Sequence, residues 1–119
     1  MDAQQMRYRN RPVIAAAYGG VSRNAGNPAI SSISSGTPGQ TTATITWTTD
    51  IVSDSQIFWG LTTAYGGASS PIMSFSYVTS HSVDITGLTA NTEYNYKILT
   101  RTPGGTYSFS ANQTFTTAV

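Results

Sequence analysis

Cysteine is absent from the 119 residues. No disulfide framework and no thiolate metal site can form, so the fold rests on packing alone. Charge is scarce as well: Asp, Glu, Lys and Arg make up 9% of the chain, against about 25% in an average domain. There is one histidine, His81. No window of helical length carries an apolar stripe at 3.6-residue spacing, and no apolar run is long enough to span a membrane. The sequence holds no GxSxG, HExxH, P-loop or GxGxxG motif.

Hydroxyl side chains fill the space, with 15 Ser and 19 Thr. Threonine favours strands, where one face stays in solvent. The chain is nonetheless 39% hydrophobic, too apolar for a disordered segment. Its net charge of +1 hides a division. Residues 1–27 carry Arg7, Arg9, Arg11 and Arg23 against Asp2, a net +3. Residues 28–119 carry Lys97 and Arg101 against Asp50, Asp54, Asp84 and Glu93, a net −2. A body of that sign is a poor nucleic-acid binder, because such binding depends on many phosphate contacts.

From Pro28 onward the pattern has period two, broken by turn signals about every ten residues, as in an all-β sandwich. In "TTATITWTT", Ala43, Ile45 and Trp47 share one face and Thr42, Thr44, Thr46 and Thr48 the other. After a turn expected at "DIVSD", "SQIFWG" turns Ile57 and Trp59 inward and Phe58 outward. "HSVDITGL" places Val83 and Ile85 inward and Asp84 outward. "EYNYKIL" places Tyr94, Tyr96 and Ile98 inward, and "SANQTFTT" contributes Phe115. The expectation is a seven-stranded antiparallel sandwich over residues 28–119, preceded by an extended basic arm over residues 1–27.

These segments together resemble a fibronectin type III domain, over about residues 28–119. Trp47 matches that family's central core tryptophan. Leu88 and Tyr94 match its tyrosine corner, where a buried phenol bonds to backbone upstream. The resemblance implies a core built on Trp47, Trp59, Leu88, Tyr94 and Tyr96. "WGLTTAYG" is similar to the variant found in bacterial secreted enzymes and before metallophosphoesterase domains. The His- and Asp-rich metal motifs of such catalytic domains are missing from this sequence. The loop "TRTPGGTY" lacks the Arg-Gly-Asp tripeptide that some family members carry there, so integrin-type binding is not implied.

Few residues invite chemistry. His81 would share a face with Val83 and Ile85 while Asp84 points away, so the two diverge where a catalytic relay needs convergence. The expected role of His81 is structural or at the surface. Asp50 and Asp54 would bracket a solvated turn with too few oxygens for calcium. Asn112-Gln113-Thr114 is a glycosylation triplet, a common coincidence in Thr-rich sequence. No catalytic residue, cofactor or metal site is expected. A candidate contact patch, for protein or sugar, is the cluster of Phe58, Tyr65 and Tyr107. Met73, Phe75 and Tyr77 fall on one face of a segment placed at a sheet edge.

The arm "MRYRNRPVIAAAYGG" is too short in its apolar run, Val13 to Ala17, for a secretory signal. In extended form Arg7, Arg9 and Arg11 project to one side, where guanidiniums meet carboxylates well. Tyr8, Val13, Ile14 and Tyr18 complete an anchor for strand addition or pocket insertion on a neighbour. The expectation is a small non-enzymatic virion protein, a capsid decoration or a head or tail accessory, of the kind tailed bacteriophages display. Its partners would be capsid or tail lattice subunits, itself, or host-surface glycans, without nucleic acid or membrane insertion. The competing expectation is extracellular or at a cell surface: a binding module of a secreted enzyme or adhesin, or a self-assembling filament.

Overall fold

The computed structural model describes residues 26–67 and 69–119. Among them are six strands and no helix: β1 (Ile30–Ser34), β2 (Ala43–Gly60), β3 (Ile72–Ile85), β4 (Glu93–Arg101), β5 (Tyr107–Phe109) and β6 (Gln113–Thr116). Every pairing between them is antiparallel. Two long strands serve both layers of the sandwich. Residues 43–49 of β2 pair with β1 and with residues 80–85 of β3. Beyond the irregularity between Thr48 and Ser53, residues 53–60 of β2 pair with residues 72–78 of β3 and with β4. A strand that changes sheets through a bulge is how two layers share a corner.

This crossing corrects two sequence expectations. The described residues form six strands where seven were expected: "DIVSD" does not turn but continues β2, "IMSFSY" and "HSVDI" run together in β3, and the last strand is split into β5 and β6. The would-be turn residues of "DIVSD" are absorbed by buried bonds: Thr49 Oγ1 donates to the Ile51 carbonyl at 2.8 Å and lies 3.1 Å from Ser53 Oγ. The second correction concerns Asp54, expected in solvent and found fully buried. Asp50 does lie at the surface, where its Oδ1 accepts the Ala29 N–H at 2.7 Å and fixes the start of β1.

The last strand is divided by Ser110. The Ser110 N–H donates to the Ile98 carbonyl, while its Oγ accepts the Ile98 N–H at 2.9 Å. A hydroxyl thus takes one ladder position, and β5 and β6 pair with β4 in registers one residue apart.

The core is formed by Ala43, Ile45, Trp47, Ile57, Trp59, Val83, Ile85, Leu88, Tyr94, Tyr96, Ile98 and Phe115. At one end its rings interlock: Trp59 meets Tyr94 edge-on at 5.7 Å, and Phe115 lies 5.6 Å from Tyr94 and 5.8 Å from Tyr96. Such pairs contribute about 0.5–1.5 kcal/mol each beyond their burial. The Tyr94 hydroxyl accepts the Thr89 N–H at 2.9 Å, which is the expected tyrosine corner. At the other end the interior is polar. Thr49, Ser53, Ser55, His81 and Thr100 are all buried there.

The chain enters and leaves at opposite poles. Pro28 lies beside β5, its carbonyl accepting Ser108 Oγ at 2.6 Å. At the far pole the Ala118 N–H donates to the Gly39 carbonyl, and Gln40 Nε2 donates to the Val119 carbonyl.

Candidate functional site

The outer face of the four-stranded layer gathers the candidate residues. Register fixes its rows. Phe58 of β2 lies beside Lys97 of β4, Gln56 beside Leu99, and Leu99 beside Phe109 of β5. Arg101 lies beside Tyr107. Cross-strand partners share a face, so Phe58, Lys97, Leu99 and Phe109 are all directed outward.

Lys97 is the centre of this face. Its Nζ sits 4.5 Å from the ring centre of Phe109, 5.2 Å from that of Tyr65 and 5.6 Å from that of Phe58. Three rings around one ammonium form a cation–π cluster, each contact worth about 0.5–1 kcal/mol at an exposed site. Phe109 also packs against Phe58 at 6.4 Å and meets Tyr107 edge-on at 5.9 Å. Tyr107 and Phe109 remain 52% and 50% exposed, so half of each ring surface is free for a contact.

Tyr65 reaches this cluster from the loop after β2, and small residues hold that loop in place. The Gly67 N–H donates to the Trp59 carbonyl at 2.9 Å. A Cβ on Gly67 would stand 2.6 Å from the Trp59 ring, and one on Gly60 2.7 Å from the Gly66 nitrogen. Only glycine permits so close an approach. The Tyr65 hydroxyl donates to Asn112 Oδ1 at 2.7 Å, and Asn112 Nδ2 donates to Asn95 Oδ1 at 3.0 Å. The glycosylation-triplet asparagine is therefore engaged in positioning Tyr65.

Under the same face lies Asp54. Its Oδ1 accepts the Arg101 N–H at 2.8 Å, and its Oδ2 accepts Gln56 Nε2 at 3.2 Å and the Arg101 guanidinium at 3.4 Å. These bonds compensate the burial of a carboxylate that would otherwise be costly.

His81 is internal. It stacks on Trp47 with ring centres 4.8 Å apart and planes 4° from parallel. Ser55 Oγ lies 2.7 Å from Nδ1 and Thr49 Oγ1 2.8 Å from Nε2. Because the one Thr49 hydroxyl hydrogen goes to the Ile51 carbonyl, Thr49 accepts from Nε2–H and Ser55 donates to Nδ1. Burial holds the imidazole pKa below its usual 6.5, with the Asp54 charge opposing that shift. The group is sealed and fully bonded.

Sequence reasoning placed Phe58, Tyr65 and Tyr107 in this region, and the structure adds Lys97 and Phe109. Phe109 was detectable, since "TYSFS" repeats Tyr107 at period two. Lys97 was not, because its position opposite Phe58 depends on a register that only the folded hairpins reveal. The arm residues Arg7, Tyr8, Arg9, Arg11, Val13, Ile14 and Tyr18 lie outside the described residues. Among the described residues no three His, Asp or Glu side chains converge as metal ligands.

Residues 28–117 match the family model of the purple acid phosphatase N-terminal domain. The chain belongs to that family. No curated protein matches it in sequence. Among solved structures, it resembles the fibronectin type III domain of human fibronectin type III domain containing protein 3. That likeness has 18% identity over 83% of this chain and 93% of the other, with a TM-score of 0.55. It also resembles the sensor domain of the anti-sigma factor RsgI4 of Pseudobacteroides cellulosolvens, 20% identical over 78% of this chain and 75% of the other, with a TM-score of 0.51. At such identities the likeness establishes the fold, an immunoglobulin-like sandwich of fibronectin type III kind. In this member of the purple acid phosphatase N-terminal family, the features that invite contact are outside the sandwich, and the titratable groups His81 and Asp54 are sealed within it.

Proposed function

We propose that this chain is a non-enzymatic display module. The observation that carries the reading is the outer face of the four-stranded layer, where Phe109 stands half exposed against Lys97 and Tyr107, also half exposed, packs on Phe109. Aromatic rings with a polar or cationic edge are the residue types that dominate contact surfaces. Two clefts formed by described residues, about 360 and 410 Å³, are lined by Trp59, Leu61 and Tyr94 in one case and by Pro28, Ile33 and Phe109 in the other. Neither is lined by His, Asp, Glu, Lys or Arg, which acid–base or metal-assisted catalysis would call on.

In this reading residues 1–27 fasten the chain to a capsid or tail lattice, and the sandwich projects from the virion toward a partner, host-surface glycans included. The basic alternation of the arm and the acidic balance of the body support the division of labour. Deleting residues 1–27 tests it. The shortened chain is expected to keep its cooperative unfolding and its near-UV circular dichroism while losing association with particles. Retained association overturns the anchoring role, and loss of the folded state makes the segment part of the sandwich.

A second reading is favoured by the family match itself. Purple acid phosphatase N-terminal domains are named as parts of enzymes, so this domain would serve as an accessory binding module in a secreted or cell-surface protein. Selective glycan binding abolished by Phe109→Ala or Tyr107→Ala, without any particle association, would favour it.

A further inference from the structure

The four-stranded layer has two edges, and they are guarded very differently. At one edge β5 is three residues long, is separated from β6 by the Ser110 break, and is covered by the chain at Pro28. At the other edge, among the described residues, residues 72–78 of β3 pair with β2 on one side only. Met73, Phe75, Tyr77 and Val78 are 43%, 63%, 49% and 36% exposed there, and Ser74 and Ser76 are exposed too. Proteins blunt such edges with lysine, proline, inward charge or bulges. No Asp, Glu, Lys or Arg occurs anywhere from Ser55 to Val83. Pro71 precedes the strand, and the one device within it is the register shift opposite Ser53–Ser55.

We infer that this edge pairs antiparallel with the same edge of a second copy. An uncharged edge gives a partner chosen by charge nothing to grip, whereas two identical copies meet here without repulsion. The sequence is also complementary to itself. In a two-fold register centred on Phe75, the two Phe75 rings oppose each other, Met73 opposes Tyr77, Ser74 opposes Ser76 and Ile72 opposes Val78. Like side chains meet like on both faces, which is the arrangement that stabilises paired strands. The pairing would join two four-stranded layers into one sheet and double the aromatic face around Lys97. It involves no arm residue, so it stands or falls separately from the anchoring role.

The absence of cysteine makes the test clean. Full-length chains carrying Ser74→Cys and Ser76→Cys, mixed and oxidised, are expected to form disulfide-linked dimers faster than either variant alone, because the register sets residue 74 against residue 76. Thr114→Cys mixed with Thr116→Cys, on β6, is expected not to cross-link at that rate. In sedimentation equilibrium the unaltered chain is expected to dimerise, and Phe75→Lys to shift it to monomer with its unfolding transition retained. Tyr77→Lys repeats the test should Phe75→Lys fail to fold. A monomeric unaltered chain, dimers that persist in a folded Lys variant, or cross-linking without preference for the mixed pair overturns the inference.

Discussion

On the layer formed by β1, residues 43–49 of β2 and residues 80–85 of β3, the outward side chains are Thr44, Thr46, Thr48, Ser82 and Asp84, with the Thr44 hydroxyl donating to Asp84 at 2.7 Å. On the layer formed by the other halves of β2 and β3 with β4 and β5, the outward side chains are Phe58, Lys97, Leu99, Phe109 and Tyr107. One pair of strands thus runs through both layers, and its outward row changes from hydroxyl to aromatic at the crossing. The first face presents hydroxyls and one carboxylate, a surface that water matches with its own hydrogen bonds. The second exposes aromatic rings, which water covers poorly. The proposed contact role rests on the second.

Both faces stand on one core, so the largest effect should not distinguish them. Trp47→Ala removes a fully buried indole and its stack on His81, and is expected to cost about 3–5 kcal/mol in denaturant unfolding. Any contact function should fall with it. A smaller and one-sided effect is expected from Asp54→Ala, which leaves the Arg101 N–H without its acceptor. The expected loss is about 1–3 kcal/mol, with NMR shifts concentrated on β4 and β5 and little change at Thr44 or Ser82. If shifts spread equally over both layers, the faces are coupled more tightly than their separate hydrogen bonding implies.

The pH dependence should come from the polar end of the core. In the unfolded chain His81 binds its proton near 6.5, whereas burial lowers that pKa in the fold. Between the two values the unfolded state holds more protons, so stability is complete above pH 6.5 and declines as pH falls toward the lowered value. Thermal unfolding of the unaltered chain between pH 7.5 and 5 should follow this slope, and His81→Gln should flatten it. The smallest stability effect is expected at the surface. Thr48→Ser should change stability by about 0.5 kcal/mol or less; Phe109→Ser, which removes the ring from Lys97, Phe58 and Tyr107, should cost about 1–2 kcal/mol, and only Phe109→Ser should reduce partner binding.

The inward rows were legible from sequence because burial on one side of a strand forces strict alternation; Ile57, Trp59, Val83, Ile85, Tyr94 and Tyr96 all follow it. The passage through "DIVSD" was not legible. Asp and Ser are turn formers when water satisfies them, and only the fold supplies the internal partners that keep β2 extended there. Asp54 illustrates the same limit. Its partner Arg101 is 47 residues away, and nothing local announces the pairing. Tyr65 was visible as an aromatic near two glycines, but its place over Lys97 depends on Asn112, a residue the local sequence marks only as a glycosylation triplet.

The opposite placement of the two ends of the sandwich has a mechanical consequence. Tension applied between Pro28 and Val119 runs nearly parallel to the strands, so the β1–β2 and β4–β6 ladders would be loaded in shear, many bonds at once, rather than unzipped singly. A domain tethered at one end and tugged at the other would therefore resist as a strut.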